Sequence, residues 1–364
     1  AVVSSGGRIF SIIDEGSNAS LLLPSDWQLS ANDAHNGTLL WKRPIPEWFS
    51  RYFPMKNGPS ILGHRLVATD DTLYGTLGLN APISALDARS GEIIREYPET
   101  EGTLEFVLSN SVLFAVVGKT ESAFPQYVRE LSDPVLERNR IYAADSGYEK
   151  GPRSITAVKV ETGEQLWEFD TMVSTLTLSV DSQNVVFHDN TKIVCLNRFT
   201  GEQRWESEEV HPDRIFNFGR GGTLVLYGDV VLYSAQTGDV TAFSANDGEV
   251  LWTAPQPGTG HHSAQDIYVI DDLVWYGQTA KGSMPGTFYG RDLHSGEIMH
   301  QFDPDVDVPW FHHRCHRGRA TVNYILASRT GIEFVDFREE HWDVNHWVRG
   351  ACALGIIPAN GLIY

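Results

Sequence analysis

Short apolar runs recur along the whole chain, each closed by a turn rich in Gly, Asp or Asn. The clearest set covers residues 223–227, 230–234, 240–244 and 250–253, where alternation of period two marks four successive strands. The same template fits residues 65–98, 103–170, 177–207 and 265–303, and residues 1–45 supply a first copy. Residues 312–348 supply a seventh, with 321–326 and 331–336 as strands. Residues 353–357 and 361–364 then read as the opening two strands of an eighth.

The third and fourth strands of each set enclose a repeated phrase. One copy runs Ala242-Phe243-Ser244-Ala245-Asn246-Asp247-Gly248-Glu249-Val250-Leu251-Trp252, and another runs from Ala157 through Gly163 to Trp167. Shorter echoes are Asp33, Gly37 and Trp41; Asp87, Gly91 and Arg95; Asn197, Gly201 and Trp205; and Asp292, Gly296 and His300. A degenerate copy without the glycine runs from Asp336 to Trp347. A strand, a tight turn ending in Gly and a second strand make a hairpin, and a period of roughly 40–50 residues makes a four-stranded blade. The pattern predicts an all-β fold, a β-propeller of four-stranded antiparallel blades. Seven full repeats and a partial eighth favour an eight-bladed ring, with a seven-bladed ring as the alternative. Residues 1–364 then form a single domain with a loop or helix insertion at about 119–153. Within the insertion, residues 126–140 can form a short helix broken at Pro134. Trp41, Trp167, Trp205 and Trp252 should occupy equivalent positions and pack blade against blade.

Composition narrows the partners. The net charge of −19 argues against a nucleic-acid surface, which needs clustered cations. No run approaches the ~20 apolar residues of a membrane-spanning helix. The chain opens on a strand-like segment and shows no signal peptide, as expected of a mature chain, an excised piece or a cytosolic protein. Three cysteines set far apart form no metal motif, and Cys195 reads as a small buried hydrophobe. Cys315 and Cys352 fall at the start of the innermost strands of neighbouring blades. They are either within disulfide reach, about 5.5 Å between Cα atoms, or two separate buried thiols. A disulfide there would imply an extracytoplasmic location.

The phrase A-x-D-x-x-[ST]-G-E-x-x-W resembles the repeats of the pyrroloquinoline-quinone (PQQ)-like propeller superfamily, over nearly the whole chain. The segment His312-His313-Arg314-Cys315, the tail from Trp347 to Cys352 and Pro358-Ala359-Asn360-Gly361-Leu362 look like a secreted bacterial branch of it. The resemblance implies an eight-bladed ring and a periplasmic or secreted location. It leaves function open, because the superfamily spans quinone dehydrogenases and a scaffold lipoprotein of the outer-membrane barrel-assembly machinery. The dehydrogenases hold their quinone beside a vicinal Cys–Cys disulfide and bind Ca²⁺. This chain has no adjacent cysteines and no C-x-x-C-H haem motif, so bound PQQ and a quinoprotein dehydrogenase activity are not expected.

Candidate chemistry gathers where the chain returns from rim to axis. Long connections at 43–63, 119–153, 206–218, 254–265 and 277–286 all belong to one face of the disc. His64, His211, His261, His262, Trp310, Arg317 and Arg349 lie on or beside those returns and are candidate ligand-binding residues. The run from His312 to Arg319 is the one dense cationic stretch, and His312, His313 and Arg314 are the candidate catalytic residues, with Tyr127 from the insertion. Imidazoles from separate loops suit a divalent metal. Alternatively, His and Arg together suit an acidic polysaccharide, Arg holding the carboxylate while His moves a proton. The expected function is binding of a protein or glycan on the long-loop face, with a lyase acting on an acidic polysaccharide as the enzymatic alternative. Alternation along a strand forbids the whole 312–317 run from facing inward. His35, His294 and His300 receive no role, and Asp303, Asp305, Asp307, Glu339 and Glu340 read as solvated loop charge.

Overall fold

A computed structural model describes residues 1–17, 25–48, 64–118, 152–210, 222–235, 238–257, 265–279, 283–308, 316–351 and 355–364. The predicted helix at 126–140 and Tyr127, His211, His261, His262, Trp310, His312, His313, Arg314, Cys315 and Cys352 lie outside these residues. Seven four-stranded antiparallel meanders and one two-stranded hairpin follow one another in chain order. Blade one comprises strands A to D at Val2–Ser5, Arg8–Asp14, Trp27–Asp33 and Leu39–Pro44. Blades two to six begin at Leu66–Ala68, Thr103–Ser109, Ser179–Val180, Thr223–Tyr227 and Tyr268–Ile270. Blade seven has short strands at Arg319–Ala320, Ile325–Leu326, Phe334–Asp336 and His341–Asp343, and blade eight has Pro358–Ala359 and Leu362–Ile363 alone. No α-helix occurs among the described residues.

The turn chemistry explains why the repeated phrase folds as it does. Asp87 Oδ1 accepts the backbone N–H groups of Arg89 and Ser90, each at 2.8 Å, and Gly91 donates to the Asp87 carbonyl at 2.8 Å. These amides hold the Asp87 carboxyl below the usual range. Gly91 sits at φ +74°, a region L side chains avoid. The pairing of strands C and D then slips by one residue at the same place in blades one to six, the mark of a bulge beside the turn. Just before each slip a small residue faces a large one: Ala31 and Trp41, Ala85 and Arg95, Ala157 and Trp167, Cys195 and Trp205, Ala242 and Trp252, Gly290 and His300.

Each large residue leans onto the following blade. The indoles of Trp41, Trp167, Trp205 and Trp252 donate to the carbonyls of Ala88, Arg198, Ala245 and Leu293 at 2.8–3.1 Å. The four tryptophans thus occupy equivalent positions, as predicted. Strands B and C are buried on both faces, as in Asn184–His188 and Val230–Ser234, so they read as apolar runs, while the rim strands are largely exposed.

Two expectations need correction. Residues 321–326 are not one strand: the Thr321 hydroxyl accepts the Asn323 and Tyr324 amides at 3.3 and 3.0 Å and closes a turn between Arg319–Ala320 and Ile325–Leu326. In blade eight the first strand lies at Pro358–Ala359 rather than 353–357, facing Leu362–Ile363 across the Asn360-Gly361 turn.

Candidate functional site

Because every blade winds outward from strand A, all B–C and D–A connections leave at one end of the axis, and each D–A connection ends beside it. The innermost strands of blades five, six and seven line a cavity of roughly 670 Å³ that runs from this end to their A–B turns at Tyr227, Asp271 and Val322. Its walls include Thr223, Gln265, Asp266, Tyr268, Arg317 and Arg319.

Asp266, Arg317 and Arg319 line it, and Glu105 and His64 lie close enough to couple electrostatically to Arg317. Blade six contributes Asp266, whose Oδ1 accepts the Gly318 amide at 3.0 Å and so ties blade six to blade seven. Glu105, on strand A of blade three, is buried and accepts the Leu176 amide through both oxygens at 3.1 Å. Leading into blade two, the His64 side chain remains 45% exposed, with Nδ1 at 3.8 Å from Glu105. Crowding by surrounding protein and the fields of Arg317 and Arg319 push its pKa down to about 4. His64 is therefore neutral at pH 7, and its approach to Glu105 is not an ion pair.

Arg317 differs from the other enclosed arginines. Arg65 spends its guanidinium on Thr76 Oγ1 and the Trp48 and Gly78 carbonyls at 2.8–2.9 Å. Arg329 serves the carbonyls of Val308, Gln278 and Met284, and Arg198 serves Ser109 and the Asp181 carbonyl. Arg317 is enclosed, yet its Nε and Nη2 find no hydrogen-bond partner among the described residues. Burial lowers its pKa, the Asp266 and Glu105 charges oppose that, and a guanidinium stays charged at neutral pH. A desolvated cation with unused donors is a receptor for an anion.

Of the predicted residues, Arg317 lines this cavity, and His64 lies near enough to feel the Arg317 charge without lining it. Arg349 is exposed on the connection between blades seven and eight. On the same connection Trp347 stands 96% exposed. His316 is buried against Gly350 and Gly355, with Nδ1 at 2.9 Å from the Arg317 carbonyl. Sequence reasoning missed Glu105, Asp266 and Arg65. A lone carboxylate in the apolar run Leu104-Glu105-Phe106 was the available signal for Glu105.

Several residues without an assigned role, or read as solvated charge, also make exposed contacts within the ring. His341 Nδ1 meets Asp305 at 2.6 Å, His294 reaches Asp229 of blade five at 2.9 Å, and His300 meets Glu340 of blade seven at 3.3 Å. Asp303 accepts the Thr287 hydroxyl at 2.5 Å. Among the described residues no group of three or more His, Cys, Asp or Glu is placed to hold one metal ion. Cys195 lies buried in blade four, far along the chain from Cys315 and Cys352, so the cysteines do not fit the vicinal pair of a quinone site.

Seven consecutive meanders, a shared axial cavity and tryptophan contacts between blades define a β-propeller of PQQ-like repeats. Residues 25–302 match the family described as outer membrane protein assembly factor BamB, and the chain belongs to that family. Over 98 residues it is 36% identical to the 1-butanol dehydrogenase (cytochrome c) of Thauera butanivorans, covering 23% of this chain and 13% of that enzyme. The chain thus matches only a small part of that relative's length. Among solved structures, the computationally designed Ika8 protein superposes with a TM-score of 0.58 at 12% identity, over 100% of this chain and 91% of that one. The quinohemoprotein alcohol dehydrogenase of Comamonas testosteroni gives 0.54 at 10% identity, over 100% and 69%. At such identities the likeness is one of fold. No helix among the described residues is long and apolar enough to cross a membrane.

Proposed function

We propose that this propeller is a binding module that captures a protein partner on its long-loop face, with a carboxylate of the partner entering the axial cavity at Arg317. The observation that carries this is the enclosed Arg317 guanidinium with Nε and Nη2 unused among the described residues. Trp347, exposed on the same face, supplies the aromatic anchor typical of protein interfaces. Family membership supports a protein partner, since the family is described by an assembly factor of the outer membrane, and it supports an extracytoplasmic location.

The lyase alternative has no support among the described residues, because its candidate catalytic residues, His312, His313, Arg314 and Tyr127, lie outside them. The two readings separate in one experiment. The protein is titrated with oligoglutamate, oligolysine and oligogalacturonate, and absorbance at 235 nm is followed for unsaturated product. Binding of oligoglutamate that falls at least tenfold in Arg317→Gln, with no rise at 235 nm, supports the proposal. Turnover of oligogalacturonate, or oligoglutamate binding indifferent to Arg317→Gln, overturns it.

A further inference from the structure

Residues 265–271 of blade six and 317–322 of blade seven line the axial cavity without a break. Side chains along a strand alternate between its two faces, so an unbroken run marks a wall made of strand edges rather than of one side-chain face. Both innermost strands have such an edge. Among the described residues, Tyr268–Ile270 pairs with Leu273–Gly277 alone, and Arg319–Ala320 with Ile325–Leu326 alone.

The turns decide which backbone groups stand on those edges. In blade six, Asp271 and Asp272 sit at φ +53° and +57° and form a two-residue turn between Ile270 and Leu273. Such a turn closes on a hydrogen-bonded pair, so alternation turns the N–H and C=O of Val269 away from strand B and toward the cavity. The carbonyl of Gln265, four residues earlier and so in the same phase, accepts the Thr223 hydroxyl of blade five at 2.5 Å. In blade seven the Thr321 amide donates to the Tyr324 carbonyl at 2.8 Å, within its own hairpin. Alternation then gives Arg319 to strand B, and Ala320 and Gly318 to the cavity. The Gly318 amide bears this out, crossing to Asp266 Oδ1 of blade six at 3.0 Å. Beyond these two bridges, the edges at Val269 and Ala320 meet no other strand among the described residues.

We infer that this cavity takes an extended acidic peptide segment by strand addition, its backbone pairing with the edges at Val269 and Ala320 and a side-chain carboxylate meeting Arg317 at the long-loop end. The inference rests on the protein partner proposed above and states the form in which that partner is held. Shape and charge agree on the occupant. Residues 265–271 span about 20 Å when extended, so roughly 670 Å³ leaves a mean cross-section of about 34 Å². An α-helix, about 10–12 Å across, needs roughly 80 Å² or more, whereas one extended chain with short side chains fits. Arg317 and Arg319 supply the cationic end, and the open edges supply backbone hydrogen bonds, the two components of strand addition. An oligosaccharide offers no N–H and C=O groups at strand spacing.

The test uses a fluorescein-labelled hexapeptide of alternating glutamate and threonine, acetylated and amidated, read by fluorescence anisotropy against the intact protein. Saturable binding is expected, with hydrogen exchange at Val269 and Ala320 slowed at least tenfold by saturating peptide. The same peptide N-methylated along its length keeps its carboxylates and loses its donors, and should bind at least tenfold more weakly. Val269→Pro removes an edge donor that strand B does not use, so the blade should fold and binding should fall at least tenfold. The peptide comparison is made on the natural protein, so misfolding of a variant cannot produce it. Equal binding of the parent and N-methylated peptides, with both lost in Arg317→Gln, would overturn the inference and leave the carboxylate-receptor reading standing. Absence of Arg317-dependent binding by either peptide at millimolar concentration would overturn both.

Discussion

Substituting alanine for Gly248 and, separately, for Gly37 isolates the energy of a blade-to-blade clasp. The two glycines share nearly the same backbone, φ +80° and +74°, and the same place in the repeat. Alanine in that region costs about 1–2 kcal/mol, offset by up to ~1 kcal/mol from the stiffer unfolded chain. Gly37→Ala meets nothing within 4 Å, so a loss of about 1 kcal/mol or less is expected. At Gly248 the new Cβ falls 2.5 Å from Trp205 Cε3, and this indole is 8% exposed and donates to Ala245 O at 2.9 Å. The ring must move. Overpacking of this kind costs about 1–3 kcal/mol, and an unmade buried hydrogen bond adds about 1–3 kcal/mol. Gly248→Ala should therefore lose roughly 3–5 kcal/mol in urea unfolding, seen as a lower midpoint at unchanged slope. In a Trp205→Ala background its cost should fall to that of Gly37→Ala, since the obstructing ring is gone. Equal losses for the two alanines in the natural background would refute the clasp.

Other consequences are open to measurement. His188 is fully buried, with Nδ1 at 2.8 Å from Ser174 Oγ and its ring stacked on Tyr233, and desolvation lowers its pKa to about 4. The unfolded chain, with a His pKa near 6.5, binds the proton more readily. Stability is therefore complete above pH 6.5 and falls as pH drops from 6.5 to 4, by an amount on the order of 3 kcal/mol that His188→Gln should remove from the denaturation profile. Burial raises the Cys195 thiol to about 12, so it should resist iodoacetamide at pH 8 in the folded protein and react once urea unfolds the chain. Arg65→Met should cost about 3 kcal/mol or more in thermal melts by stranding its three hydrogen-bond acceptors.

The blades were legible in the sequence because their turns are chemically obligatory. Asp33, Asp87, Asn197 and Asp292 each gather two backbone amides, and a positive-φ glycine ends each turn, so the phrase survives wherever the hairpin does. Blade seven was misread where that chemistry changes. Glu340, at φ +55°, replaces the glycine, and a threonine hydroxyl rather than a glycine turn divides residues 321–326. Of the axial cavity's lining, the sequence pattern points to Arg317 alone among the candidate residues. Topology delivers His64 and Arg317 to the axis. That Glu105, Asp266 and Arg319 share the space depends on the angular positions of blades two, three, six and seven, which no local pattern encodes. The role of Asp305 was hidden for the same reason, its partner His341 lying 36 positions away in the chain.

The strands of blade seven are only two or three residues long, against up to seven in blade one. Blade seven also forms the wall of the axial cavity that carries Arg317 and Arg319. The stiffness of the ring is therefore uneven around its circumference. The inner strands that bound the channel are short in blades four and seven alike, two residues each, but only blade seven is short in all four strands. With the fewest ladder bonds to break, that sector is the one expected to give first when the bore is strained. A ring built to be rigid thus has, along one radius, the mechanical character of a spring clip.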